Sequence, residues 1–154
     1  MSMSNHGTPQ EPSAATEAIL RRMAALGTGD DDAIVQQYAD CIDALFSALH
    51  SEDIGDLVAN AVHTGKLSPE QAEQILGVSV WCGSENGAPL HRAIERWLEE
   101  ASDPVRVRLA LAQATFPFRD RQRMEEVLTG VAARYPQFAD EIGAMIERRR
   151  TQNV

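Results

Sequence analysis

Residues 67–76, LSPEQAEQIL, contain the strongest secondary-structure signal in the sequence. A serine followed at once by proline and three positions on by glutamine forms the capping box that begins many α-helices. Ser68 is therefore predicted to be the cap, Pro69 the first helical residue and Gln71 the residue that closes the box. We expect this helix to run to about Trp81, since the strand-like VSVW at its end is too short to outweigh its start.

Proline recurs at two further predicted helix starts, Asp103-Pro104 and Tyr135-Pro136, at intervals of 35 and 32 residues. Each proline lies between two helical patterns joined by a short connection, which is the order of helical hairpins. A single hairpin cannot bury its own apolar face, so such hairpins stack on their neighbours. Residues 103–112, DPVRVRLALA, resemble the second helix of a HEAT repeat. The resemblance implies HEAT-like stacked hairpins, with an irregular helical bundle as the alternative.

Apolar residues elsewhere recur at steps of three and four, the spacing of one face of an α-helix. The first predicted helix covers residues 14–26 after a Ser13 cap, and the second covers 31–50 after a cap at or near Asp30. A third helical segment begins at Ser51. The later ones are 90–100, a segment from Pro104, 121–134 and 136–149. The predicted fold class is all-α, with seven or eight short helices and no sheet. One domain is expected over residues 13–150, after a disordered lead at 1–12 and before a frayed C-terminus at 151–154.

Composition and charge narrow the function classes. The chain has 154 residues, 44% of them hydrophobic, and a formal net charge of -9. This hydrophobic content excludes a wholly disordered chain, and the charge argues against general nucleic-acid binding, which requires a basic face. No segment has the 18 apolar residues of a membrane span and no secretory signal is visible, so a cytoplasmic protein is predicted. Two cysteines, Cys41 and Cys82, do not make a disulfide framework.

The sequence shows no established catalytic or metal-binding motif. The four histidines lack the spacing of a metal site, and GSENG at 83–87 lacks the Gly-Lys-Ser/Thr of a phosphate loop. We therefore predict no metal, no cofactor and no enzymatic activity. One pair leaves a hydrolase as an alternative, because Cys82 precedes His91 by nine residues and a Cys-His pair can form a nucleophile.

Arginines accumulate in the C-terminal third. Residues 101–154 hold nine Arg against seven acidic residues, whereas residues 1–100 hold sixteen acidic residues against five basic ones. The cluster from Arg119 to Arg123 could contact nucleic acid, but the acidic half would repel phosphate. We expect these arginines to lie on exposed helix faces and to pair with Asp120, Glu125 or Glu126.

The acidic half is most concentrated at residues 30–56, which carry eight carboxylates and no Lys or Arg. Helical spacing puts Asp32, Asp40 and Asp43 on one stripe, and a turn at His50-Ser51 would bring the next helix back beside it. The candidate partner-binding residues are Asp32, Asp40, Asp43, Asp53 and Asp56.

Acidic side chains at the spacing of helix neighbours repel each other by a few tenths of a kcal/mol, so a task that uses their field is expected. The sequence predicts a small acidic protein-binding module, an inhibitor or immunity-type protein that masks a basic, toxin- or nuclease-like partner protein. An alternative is a regulatory or structural adapter that binds its partner through an apolar groove between helices. Neither hypothesis involves a membrane or nucleic acid, and the sequence predicts no oligomeric state.

Overall fold

The structure, a computed structural model, describes residues 13–47, 53–80, 82, 88–113 and 116–152. In these ranges the chain forms eight α-helices and no strand, so the all-α prediction is confirmed. The helices are α1 Ala14–Ala24, α2 Asp32–Phe46, α3 Asp53–His63, α4 Pro69–Ser79, α5 Ala88–Glu100, α6 Pro104–Leu111, α7 Arg121–Arg134 and α8 Ala139–Gln152, with a 3-10 turn at Pro136–Phe138 before α8.

The predicted capping box begins α4. The backbone N–H of Gln71 donates to Oγ of Ser68 at 3.0 Å, and the N–H of Ser68 donates to Oε1 of Gln71 at 3.0 Å. Ser13 caps α1, and Asp31 caps α2 through the N–H of Ala33 at 2.8 Å. Short polar side chains thus satisfy N–H groups that have no partner inside the helix, which is why these helices begin where the sequence predicts.

Several helix ends differ from their predicted positions. The Pro136 segment begins as a 3-10 turn, and α8 extends to Gln152, three residues beyond the predicted end. Conversely, α4 ends at Ser79, two residues before the predicted end. Frayed helix ends tighten or lengthen by a residue or two according to packing that periodicity does not report. The predicted lead at 1–12, the Ser51 cap and the turn at His50-Ser51 lie outside the described residues.

The helices pair in chain order. Extensive contacts join α1 to α2, α3 to α4, α5 to α6 and α7 to α8. Each pair also packs on the next through α2–α4, α3–α5, α4–α6 and α5–α7, and the α2–α4 contact is as extensive as those within the first two pairs. Helices that pair with their neighbours and then pack on the following pair are consistent with both predicted arrangements, stacked hairpins and a helical bundle. Residues distant in sequence are thereby brought together along α3, α5 and α6.

Side chains from all eight helices form the apolar core. On α2 the predicted inward residues Tyr38, Ile42 and Leu45 are fully buried, and each contributes about 1.5–3 kcal/mol by leaving water. The Tyr38 hydroxyl donates to the carbonyl of Gly27 at 2.8 Å, so its burial leaves no unpaired polar group. Burial of this face fixes the rotation of α2 and turns the opposite stripe outward. In the described part of the chain, no helix combines the length and apolar character needed to cross a bilayer.

Candidate protein-binding surface

The polar stripe of α2 faces solvent along its length. Asp32, Asp40 and Asp43 are all exposed, and so are Gln36 and Ser47 between and after them. We name the three aspartates the acidic surface. Their spacing puts them on one side of a 15-residue helix, as the sequence predicted. An α-helix that is anchored by a buried face holds such charges in fixed relative positions.

The acidic surface has no cationic partner within the described residues. Asp40 accepts a hydrogen bond from Nε2 of Gln36 at 2.9 Å, but no Lys or Arg lies within ion-pair distance of any of the three carboxylates. Burial raises the pKa of the Cys41 thiol. The positive charge of Arg22 on α1 lowers this pKa, and the negative charge of Asp40 raises it. Arg22 nevertheless forms no ion pair with the acidic surface.

Several carboxylates elsewhere in the fold are paired with basic side chains from other segments. The inter-segment pairs, at N–O distances of 2.6–3.2 Å, are Lys66 with Glu17, Arg106 with Asp56, Arg108 with Glu70 and Glu73, Arg123 with Glu99, and Arg150 with Glu125. The fold therefore uses several of its basic residues to join helices and leaves the acidic surface uncompensated.

Asp43 lies where a negative charge is least favourable on its helix. It belongs to the last turn of α2, where the carbonyl ends give a partial negative charge and where the helix has no basic residue. Burial raises the pKa of the Cys82 thiol, just beyond α4, and the nearby charge of Asp43 raises it further. Neither the helix dipole nor an ion pair within the described residues favours an aspartate at this position.

The two remaining predicted residues stand apart from the acidic surface. Asp56 on α3 is exposed, but its Oδ1 lies 3.2 Å from Nη2 of Arg106 on α6, so part of its field is neutralised. The prediction from sequence considered only basic residues within positions 30–56, whereas Arg106 is 50 positions from Asp56. Asp53 is the first residue of α3, and its side chain lies outside the described part of the structure.

Arg106 belongs to a charged cluster between α3 and α6. Its Nη1 donates to Oδ2 of Asp103 at 2.8 Å, and Nε2 of His63 lies 2.8 Å from the same oxygen. Burial raises the pKa of Asp103, but hydrogen bonds from His63, the Val105 N–H and Arg106 outweigh it, so the net pKa is lowered. Asp103 also caps α6, and the cluster joins the second and third hairpins.

The arginines of the Arg119–Arg123 cluster are exposed, as predicted, but within the described residues only Arg123 forms an ion pair, and not with a predicted partner. Nη2 of Arg123 lies 2.7 Å from Glu99 on α5, and Glu125 is paired with Arg150 on α8. Pairing inside α7 was expected from sequence spacing, but the packing of α5 and α8 on either side supplies closer partners. The predicted partners for this cluster were therefore wrong, because these ion pairs join helices.

The structure does not bring Cys82 and His91 together as a nucleophilic pair. Both are described, and no hydrogen bond joins their side chains. A raised pKa keeps the Cys82 thiol protonated, whereas a reactive cysteine needs its pKa lowered. His91 instead lines a cleft with Phe116, Arg119 and Arg149.

Across the described ranges, no group of three or more His, Cys, Asp or Glu side chains is arranged to hold a metal ion. Comparison with known proteins found no matching protein-family model, no matching curated protein and no matching solved structure. The geometry of this chain is therefore the basis for any statement about its function.

Proposed function

We propose that this chain is a small cytoplasmic protein-binding module that masks a basic partner protein, as an inhibitor or immunity-type protein does. The partner would bind to the acidic surface of α2. One observation carries the proposal: three exposed carboxylates on one face of a firmly packed helix have no cationic partner in the described structure, while several acids elsewhere pair with basic residues.

The electric field of an unpaired charge extends farther than that of an ion pair, because the two charges of a pair largely cancel. The field of an unpaired charge extends about a Debye length, ~8 Å at physiological salt, and accelerates the approach of an oppositely charged surface. A basic partner would provide the guanidinium or ammonium groups that the fold itself does not place beside Asp32, Asp40 and Asp43. Asp43, at the unfavourable end of its helix, would be better satisfied in such a complex than in the free protein.

The structure also ranks the predicted residues within the proposed interface. Asp40 and Asp43 lie three positions apart on one face and would present the densest charge. Asp56 would contribute less, because Arg106 already neutralises part of its charge at 3.2 Å. Its substitution would also disturb the cluster between α3 and α6, so it is a poor probe of binding.

The test is affinity capture with two variants of equal charge. The first replaces Asp32, Asp40 and Asp43 by Asn and removes the acidic surface. The second replaces Glu100, Glu126 and Glu141 by Gln, which removes three exposed carboxylates that form no ion pair in the described structure. We expect a basic protein, identified by mass spectrometry, to be captured by wild type and by the second variant but not by the first.

Two outcomes would contradict the proposal. Equal loss of capture in both variants would mean that net charge alone matters. Retention by the variant without the acidic surface, at low salt, would favour the adapter hypothesis, in which an apolar groove binds the partner with little salt dependence.

A further inference from the structure

A cleft of about 460 Å³ lies among α5, the connection between α6 and α7, and the end of α8. Its lining residues are His91, Glu95, Phe116, Phe118, Arg119, Arg149 and Gln152. This volume is within the range of small-molecule sites, about 300–1,000 Å³. None of these residues belongs to the acidic surface, so the cleft is independent of the proposed function.

Arg149 is the central cation of this cleft and is bound by carbonyl groups. Its Nη1 donates to the carbonyls of Pro117 at 3.3 Å and Phe118 at 2.6 Å, and its Nη2 donates to the carbonyl of Arg119 at 2.6 Å. These bonds fix the guanidinium but leave its full positive charge. Within the described residues, no carboxylate pairs with it and its Nε–H has no acceptor.

The charged side chains that line the cleft give it a net positive charge. Glu95 uses Oε2 to accept the backbone N–H of Phe118 at 2.8 Å, which ties α5 to the connection. Arg119 is exposed at the edge of the cleft and forms no ion pair in the described structure. Two guanidinium groups against one carboxylate make a cationic cleft on a protein whose net charge is -9. An open cleft with an excess of positive charge attracts small anions.

The apolar side of the cleft is aromatic. Phe116 is half-buried with the guanidinium of Arg149 5.6 Å from its ring centroid, and Phe118 is 8% exposed. Phe118 has a φ of 64°, a strained conformation for a phenylalanine, and the bonds from Glu95 and Arg149 hold it there. The connection is therefore fixed with an aromatic wall beside two cations.

We propose that this cleft is a binding site for small organic anions in which a carboxylate is attached to a planar apolar group. The carboxylate would lie between Arg119 and the free Nε–H edge of Arg149, the fork geometry that guanidinium groups offer to carboxylates. The planar group would lie against Phe116. The site needs both features, since either alone would leave half of the lining without a partner.

The experiment follows backbone amide shifts in an assigned ¹⁵N-labelled sample at constant ionic strength. Benzoate is the probe, benzamide is its uncharged isostere and inorganic phosphate is an anion without a ring. We expect benzoate to shift the amides of Phe116, Phe118 and Arg119 and those at the end of α8 saturably at concentrations up to about 10 mM. Benzamide and phosphate should each bind about tenfold more weakly or not at all.

Arg119→Gln tests the site without disturbing the bonds of Arg149, and Arg148→Gln is its control. Arg148 is exposed, lies next to Arg149 and does not line the cleft. Arg119→Gln should weaken benzoate binding about tenfold, and Arg148→Gln should leave it unchanged. The proposal is overturned if benzoate gives no saturable shifts at 116–119, if benzamide or phosphate binds as well, or if both variants lose affinity equally.

Discussion

At Gly55 the backbone of α3 lies against the indole ring of Trp97 on α5. A methyl group at the Cα of Gly55 would lie 3.0 Å from Cζ2 and 3.1 Å from Cη2 of Trp97. Trp97 is 3% exposed, and Arg106 covers its ring at 5.7 Å from the centroid, so the indole cannot move freely. The second and third hairpins therefore approach closely only because residue 55 has no side chain.

Gly55→Ala is expected to destabilise the protein by about 1–3 kcal/mol, because overpacking forces the indole or the helix to shift. Gly130→Ala on α7 is the matched control, since a methyl group there meets nothing within 4 Å. That control should stabilise by about 0.5–1 kcal/mol, because alanine loses less backbone entropy in a helix. Urea unfolding of both variants measures the difference, and a neutral Gly55→Ala would show that the contact with Trp97 is loose.

The lowered pKa of Asp103 indicates how the stability of the protein should respond to acid. Burial raises its pKa, but His63, the Val105 N–H and Arg106 lower it more, so the folded pKa lies below the ordinary value of 3.8. A carboxyl with a lowered folded pKa stabilises the protein above its unfolded pKa, and this contribution is lost as the pH falls through the folded pKa.

Asp103→Asn should therefore lower the free energy of unfolding near neutral pH and have a progressively smaller effect as the pH falls below the ordinary pKa of 3.8, because the wild-type carboxyl then loses its charge. Asparagine can keep the cap of α6 through its Oδ1, so the variant separates the cap from the interactions of Oδ2 with His63 and Arg106. Urea unfolding across this pH range measures both. An effect that is the same at every pH would mean that His63 and Arg106 do not stabilise the ionised carboxylate.

At the scale of the helix, the start of α4 also secures the end of α1. Gln71 closes the capping box with Oε1, and its Nε2 donates to the carbonyls of Ala24 at 2.8 Å and Leu26 at 2.9 Å. Those carbonyls follow or end α1 and have no partner inside it. One side chain thus serves two helix ends that are about 45 residues apart in sequence.

Gln71→Glu separates the two roles of this side chain. Glutamate is as good as glutamine in a capping box and favourable in a first turn, so the isolated helix should lose nothing. It cannot donate to Ala24 and Leu26, however, and its charge would face two carbonyl oxygens. We expect a loss of about 1–3 kcal/mol in unfolding free energy, the cost of unsatisfied and charge-opposed groups.

Ser68→Ala is the comparison, because it removes the cap of α4 and leaves the bonds to α1, for a loss of about 1 kcal/mol. A Gln71→Glu variant as stable as wild type would show that the contact between α1 and α4 does not depend on these two hydrogen bonds.

At the scale of the whole molecule, the ion pairs that join helices are separate from the acidic surface. Most ion pairs join different helices, whereas the acidic surface is left to solvent. The proposed binding should therefore be sensitive to salt, while the fold itself should be much less so, since exposed ion pairs contribute at most about 1 kcal/mol each.

The double reversal of Asp40 and Asp43 to Lys is expected to slow association with the captured basic partner by about tenfold or more at low salt. The helical circular-dichroism signal should not change, because both side chains are exposed. Stopped-flow or surface-plasmon measurements over a range of salt concentration provide the rates. An unchanged rate at low salt would mean that the acidic surface is only solvated.

The sequence by itself determined the helices and the direction of their faces. Ser68, Asp103 and Asp31 act on N–H groups two or three residues away, and the buried face of α2 repeats every three or four positions. Such signals are local, so they can be found without knowing the fold. They also predicted correctly that Asp32, Asp40 and Asp43 face outward.

Only the tertiary structure decided which of these charges are compensated. Arg106 reaches Asp56 over 50 positions, and Arg149 reaches the carbonyls of the α6–α7 connection over about 30. Sequence spacing does not predict these long-range contacts, because they depend on which helix faces pack together. That packing is determined by the whole core. The acidic surface is defined by the absence of basic partners in the described structure, and the cationic cleft by side chains that separate segments of the chain bring together. Sequence periodicity predicts neither.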